Sequence, residues 1–287
     1  MKNYWLDTHL YPFEPHHIVC NGHRYHYVDT GTGPVLLFVH GTPSWSFEFR
    51  TAIQQLSSSY RCIAVDHIGF GLSDKPEQYA YSLDNHVANL KQLMDELHIA
   101  SFTVIAHDFG GPIGLRLACS MPERVQHIIL ANTWCFSAEH EPEFKKLRRV
   151  LKSPLLPFLY RQLNFSARFL LPAAFGNKKH LTAAIHKHYT APFSRASERN
   201  GTLAFAKSLL HDQRWFAETG EQCAVLRDKR VLLLWGMKDS FITPKYADKL
   251  MQMFPHAERI YYPEAGHFVF EEKGEEVSRE ILKFLSS

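Results

Sequence analysis

Residues 102–111 read FTVIAHDFGG. The apolar run FTVIA stops at His107-Asp108-Phe109. A segment of helical character, PIGLRLACS, follows Gly110 and Gly111, with a proline near its start. A buried strand that becomes a helix within a few residues must turn sharply. Small residues on both sides of the bend, Ala106 and Gly110, let it do so. Such a bend lifts its middle side chain away from the backbone. That side chain is the carboxylate of Asp108. A strand-end aspartate can simply cap the next helix, but the small flanking residues favour a displayed reactive group.

The surrounding sequence shows what carries this bend. PVLLFVHGT (34–42), RCIAVDHIG (61–69) and VQHIILANT (125–133) are further apolar runs of strand length, the mark of strands buried on both faces. SLDNHVANLKQLMDELH (82–98) places Val87, Leu90, Leu93, Met94 and Leu97 at helical spacing, with a cap among Ser82–Asn85. HHIVC and HRYHYVDTG flank Asn21-Gly22, a type I′ hairpin signal. Alternating buried strands and helices predict an α/β fold with a mainly parallel central sheet flanked by helices. The alternation breaks after Thr133, and the next buried strand, KRVLLLWGMKD, begins near Lys229. So long a gap should have structure of its own. It contains helix-compatible EFKKLRRVLKS and RNGTLAFAKSLLHD, interrupted by Pro154, Pro157, Pro172 and Pro192. The expected organisation is a core of residues 1–133 and 214–287 with an inserted helical cap at 134–213. PKYADKLMQMF, ERIYYPEAGH and EEVSREILKFLSS then read as helix, strand and closing helix.

Composition narrows the class. The chain has 287 residues, 45% apolar and 21% charged, with a net charge of +3, so no strong field points to nucleic acid or a membrane. No run of 18 apolar residues and no apolar leader segment occurs. Cys20, Cys62, Cys119, Cys135 and Cys223 lack CxxC spacing. They read as reduced thiols of a cytoplasmic protein. His186 and His188 are two apart and do not share a helix face, which argues against a metal site. GFGLS lacks the phosphate-binding fingerprint. No metal and no cofactor are expected.

In an open α/β sheet, ligands bind beyond the carboxyl ends of the strands. Those ends carry His40-Gly41-Thr42-Pro43, Asp108, Asp239 in WGMKDSF and His267 in PEAGHF. The chain order of nucleophile, acid and base is that of the α/β-hydrolase fold. No G-x-S-x-G occurs, so a serine nucleophile has no candidate at the bend. Aspartate needs no base to attack, because it is already ionised near neutrality. It can displace a leaving group at a saturated carbon and form an ester. His267 then draws a proton from the water that attacks the Asp108 carbonyl carbon, and Asp239 orients His267. The backbone N–H groups of Thr42 and Phe109 are placed for the oxyanion, with Gly41 and Gly110 allowing close approach. His40 and His107 read as structural neighbours, and Asp66 as the organiser of its loop.

HGTPSWSFEFR, DHIGFGLSDKP, HDFGGPIG, GMKDSF and AGHFVFEE together resemble the haloalkane dehalogenase branch of the α/β-hydrolases. The resemblance runs from YPFEPHH to the last helix and is least distinctive in the cap. It implies Asp108 as nucleophile, His267 as base and Asp239 as acid. Some relatives take the acid from the end of the preceding core strand, where this chain has Asn132 and Thr133. It also implies a small apolar organic substrate that yields an alcohol and a halide. Two residues depart from the pattern. Phe109 stands where the family has a halide-binding tryptophan, and Thr42 where an asparagine is frequent. Trp45, Trp134 or Trp215 could supply the missing N–H. Tyr160 and Tyr189 would suit an epoxide oxygen instead. Epoxide hydrolysis, β-lactone opening, or a ligand-binding receptor on the same fold are the alternatives.

Overall fold

The structure, a computed structural model, describes residues 4–287. Eight strands form one sheet: β1 (His16–Cys20), β2 (His23–Thr30), β3 (Val35–Val39), β4 (Arg61–Val65), β5 (Phe102–Asp108), β6 (Val125–Thr133), β7 (Arg230–Gly236) and β8 (Glu258–Tyr262). Their order is β1-β2-β4-β3-β5-β6-β7-β8. β1 and β2 form the hairpin, and Asn21 (φ 51) and Gly22 (φ 80) both take the positive φ its turn requires. β2 pairs antiparallel with β4, and every pair from β4 to β8 is parallel. Helices cover both faces, so the apolar runs alternate between two cores. Leu37 and Val39 enter one, Leu36 and Phe38 the other.

This strand order positions the site. From β3 the chain crosses to β4 on one side, then returns to β5 on the other. The winding reverses between β3 and β5, where a crevice opens beyond the strand ends. Val39 lies opposite Ala106 in that pair, so the turn after β3 and the bend after β5 emerge side by side.

Between β6 and β7 the chain is mostly helical, including Pro142–Leu151, Leu156–Leu163, Ala183–Thr190, Asn200–His211 and Gln213–Gln222. Pro157 and Pro172 open helices rather than interrupt them. A proline at the first turn has no N–H to leave unpaired, and its fixed φ suits the helix. Gln213–Gln222 packs on the core helix Gly110–Ser120, where Arg116 Nη2 donates to the Trp215 carbonyl at 3.0 Å. No helix among the described residues is long and apolar enough to cross a membrane.

Asp66 organises its loop, as its sequence context suggests. It is fully buried, bonds His26 Nδ1 at 2.8 Å, and accepts from the N–H groups of Ser46 (2.8 Å) and Leu72 (2.7 Å). Asp66→Ala would strand three partners at once, two of them fully buried. We expect a loss of about 3–5 kcal/mol in urea unfolding; a loss below about 1 kcal/mol would contradict this role.

Candidate active site

Asp108 ends β5 with φ 51, the left-handed region that aspartate tolerates better than most residues. The space around it requires glycine. A Cβ on Gly41 would lie 2.2 Å from Asp108 Oδ2, and one on Gly110 would lie 1.9 Å from the Val39 carbonyl oxygen. Thr42 N–H donates to Asp108 Oδ2 at 2.8 Å, and the Phe109 N–H also bonds the carboxylate. The carboxylate is thus held between the turn after β3 and the bend after β5. Thr133 Oγ1 secures the bend by donating to the Asp108 carbonyl. His40 steadies the facing turn, donating from Nδ1 to the Gly41 carbonyl and accepting at Nε2 from His67 N–H.

His267 Nε2 stands 3.8 Å from Asp108 Oδ1, too far for a hydrogen bond. Its Nδ1 bonds Asp239 Oδ2 at 2.7 Å. Asp239 Oδ1 accepts from Phe241 N–H (2.8 Å) and Ile242 N–H (3.0 Å), and Oδ2 also accepts from Asn132 Nδ2 at 2.9 Å. Asn132 returns a second link by accepting from Gly236 N–H at 2.8 Å. Asp108, Asp239 and His267, predicted from strand ends, therefore meet in one cluster. Asn132 entered the sequence reading only as a missing carboxylate; in the fold it braces the carboxylate that is present.

The cluster is buried. Burial raises the Asp108 pKa above the usual carboxylate range, against the pull of His267, His107 and the two N–H groups. Burial alone would lower the His267 pKa, but Asp239, then Asp108 and Glu48, push it up to about 9.

A cavity of about 170 Å³ opens over Asp108 and His267. Its wall is mostly apolar, with Phe109, Leu147, Leu170 and Phe268, and a few polar groups including Thr42 and Tyr160. Trp134 lines it and meets the Phe109 ring edge-on, at 4.9 Å between centroids. The other proposed contacts lie elsewhere. Trp45 is fully buried, donates to the His188 carbonyl at 2.9 Å and stacks on Phe47. Trp215 donates to Asp84 Oδ1 at 2.6 Å on the surface. Tyr189 is buried and donates to Glu271. Each of the three already has a partner outside the cavity, which sequence could not reveal. His186 Nε2 bonds the Ala167 carbonyl, while His188 bonds the Ala184 carbonyl and accepts from Asp7 N–H.

The α/β hydrolase fold family matches residues 34–274, and the chain belongs to that family. It is 34% identical to haloalkane dehalogenase 2 of Mycobacterium tuberculosis over 279 residues, 96% of each chain. It is 32% identical to the cis-3-alkyl-4-alkyloxetan-2-one decarboxylase of Shewanella oneidensis, covering 98% of this chain and 91% of that one. Among solved structures it is similar to the haloalkane dehalogenase DatA of Agrobacterium tumefaciens, with a TM-score of 0.84, 25% identity and coverage of 95% and 96%.

The raised His267 pKa ties stability to pH. A group whose pKa rises on folding contributes stability that is fully present below its unfolded value, about 6.5. That contribution is lost as pH rises through about 9. The unfolding free energy of the native chain should therefore fall, relative to His267→Gln, between about pH 6.5 and 9. Parallel curves across that window would contradict the ion-paired histidine.

Proposed function

We propose that this chain is a hydrolase acting on carbon–halogen bonds of small apolar haloalkanes through an alkyl ester on Asp108. The single observation that carries this reading is the division of labour on the Asp108 carboxylate. Oδ2 is already held by the Thr42 N–H, while Oδ1 is the oxygen that lies 3.8 Å from His267 Nε2. Oδ1 attacks the halogen-bearing carbon, the carbon–halogen bond breaks, and halide leaves with the bonding electrons. Oδ2 becomes the ester carbonyl without moving from its donors. The ester removes the Asp108 charge, one of the influences that keeps the His267 pKa high. His267 can then act as a base on water at Nε2. Water attacks Cγ, negative charge gathers on Oδ2 beneath Thr42 and Phe109, and Asp239 stabilises the imidazolium. Collapse releases the alcohol and restores Asp108. No step in this sequence requires a metal or a cofactor.

In this reading residues 134–213 are a cap that closes the apolar cavity over the core of 1–133 and 214–287. A cytoplasmic setting fits the five cysteines, all of them free. Of Trp45, Trp134 and Trp215, Trp134 is the one that lines the cavity, and in this reading its indole N–H donates to the departing halide. A hydrogen bond to a charged group is worth roughly 1.5–3 kcal/mol. Trp134→Phe should therefore slow bromide release from 1-bromobutane by about ten- to a hundredfold; an unchanged rate removes Trp134 from the site.

A second reading has one specific observation in its favour. Phe109 offers no N–H to a halide, and one relative is a decarboxylase named for a four-membered lactone. A β-lactone opened by Oδ1 would leave as a tethered carboxylate, with less need of a halide site. Supplying 1-bromobutane, styrene oxide and a β-lactone separately, and measuring bromide, diol and ring-opened products, separates these readings. Bromide release is the expected result. Lactone turnover without bromide release would move the assignment to the second reading. Binding without turnover of any of them would favour a receptor.

His267→Gln tests the shared mechanism. It should halt turnover after alkylation and leave a substrate-sized mass on the peptide containing Asp108. A variant that still consumes substrate yet never gains that mass would overturn the ester route.

A further inference from the structure

His107 and Glu48 form a second histidine–carboxylate pair beside the site. Both side chains are fully buried. His107 Nδ1 lies 2.9 Å from Glu48 Oε2, and Nε2 lies 2.8 Å from the main-chain carbonyl of His267. The two histidine rings are 4.6 Å apart between centroids. Both ring nitrogens of His107 thus face acceptors. A neutral imidazole carries one N–H, so satisfying both contacts takes one proton more, either on the ring or on Glu48. The Asp108 carboxylate is the next residue along, and its charge favours the proton on the ring.

We propose that Glu48 and His107 are a buried ion pair that positions His267 through its main chain and sets a cation beside Asp108. The existence of the pair is independent of the function above; its effect on turnover rests on the Asp108 ester. In the alkylation step, the His107 cation favours the ionised form of Asp108 in a site where burial opposes it. In the hydrolysis step, His267 becomes an imidazolium next to a ring that is already charged. Glu48 offsets that repulsion, and its charge acts on His267 in the same direction as that of Asp239. His267 is the other cation acting on Asp108, and the stronger of the two; the remaining ionisable neighbours add none. His40 is buried, donates one ring N–H and accepts at the other nitrogen, so it is neutral. Tyr160 and Tyr189 have raised pKa values, chiefly from burial, and stay neutral. Arg50 is engaged by Glu271.

Glu48→Gln separates charge from contact. The amide can donate to His107 Nδ1, leaving the ring neutral with its Nε2–H still on the His267 carbonyl. The pH dependence of single-turnover alkylation should then shift, its acid limb rising by about one pH unit as Asp108 loses the nearby cation. Glu48→Asp should recover part of the shift. An acid limb that does not move in Glu48→Gln overturns the electrostatic role. Nitrogen NMR of the histidine-labelled native chain reads the pair directly and needs no turnover. Two ring N–H protons on His107 at pH 8, reduced to one in Glu48→Gln, is the expected result. A single N–H in the native chain would mean a neutral ring and overturn the pair even if the ester forms on Asp108.

Discussion

The site depends on holding one ionised carboxylate inside an apolar cavity. Burial opposes the charge on Asp108, so its surroundings must replace water without blocking attack. Backbone N–H groups do this at the carboxylate, and they suit the task because their positions are fixed by the strands that carry them. In the proposed mechanism, donors that grip the resting carboxylate are already in place when Oδ2 becomes an oxyanion. Little needs to reorganise between the two steps.

The fold explains why those donors arrive together. Thr42 follows β3 and Phe109 follows β5, and these strands are neighbours only because the winding reverses between them. The bend after β5 needs a left-handed aspartate and glycines too small to collide. Asp239 and His267 come from the ends of β7 and from beyond β8, further along the same edge. Histidine is then shared between two carboxylates at unequal distances, one bonded at 2.7 Å and one held off at 3.8 Å. The shorter contact orients the ring, and the longer one leaves Nε2 without a hydrogen bond to Asp108.

The sequence made this arrangement legible wherever a residue closes a buried strand. FTVIAHD and VLLLWG announce β5 and β7 by apolar runs bounded by glycine, so Asp108 and Asp239 could be picked out. His267 follows from the AGH that trails β8. The sequence was opaque where a role depends on a partner far along the chain. Glu48 reads as one polar residue in an aromatic segment, and nothing in SFEFR points to a histidine fifty-nine positions away. Trp45, Tyr189 and Trp215 look as available as Trp134, and only packing shows their polar atoms engaged elsewhere. Pro157 and Pro172, read as breaks, proved to be helix starts, because the same missing N–H ends one helix and suits the first turn of another.

The most direct measurement follows the oxygen. In a single turnover of unlabelled enzyme in oxygen-18 water, the alcohol should leave with an unlabelled oxygen taken from Asp108, and the Asp108 peptide should gain the heavy isotope. Heavy oxygen in the first alcohol released, with Asp108 unlabelled, would mean that water attacks the substrate directly and would contradict the account.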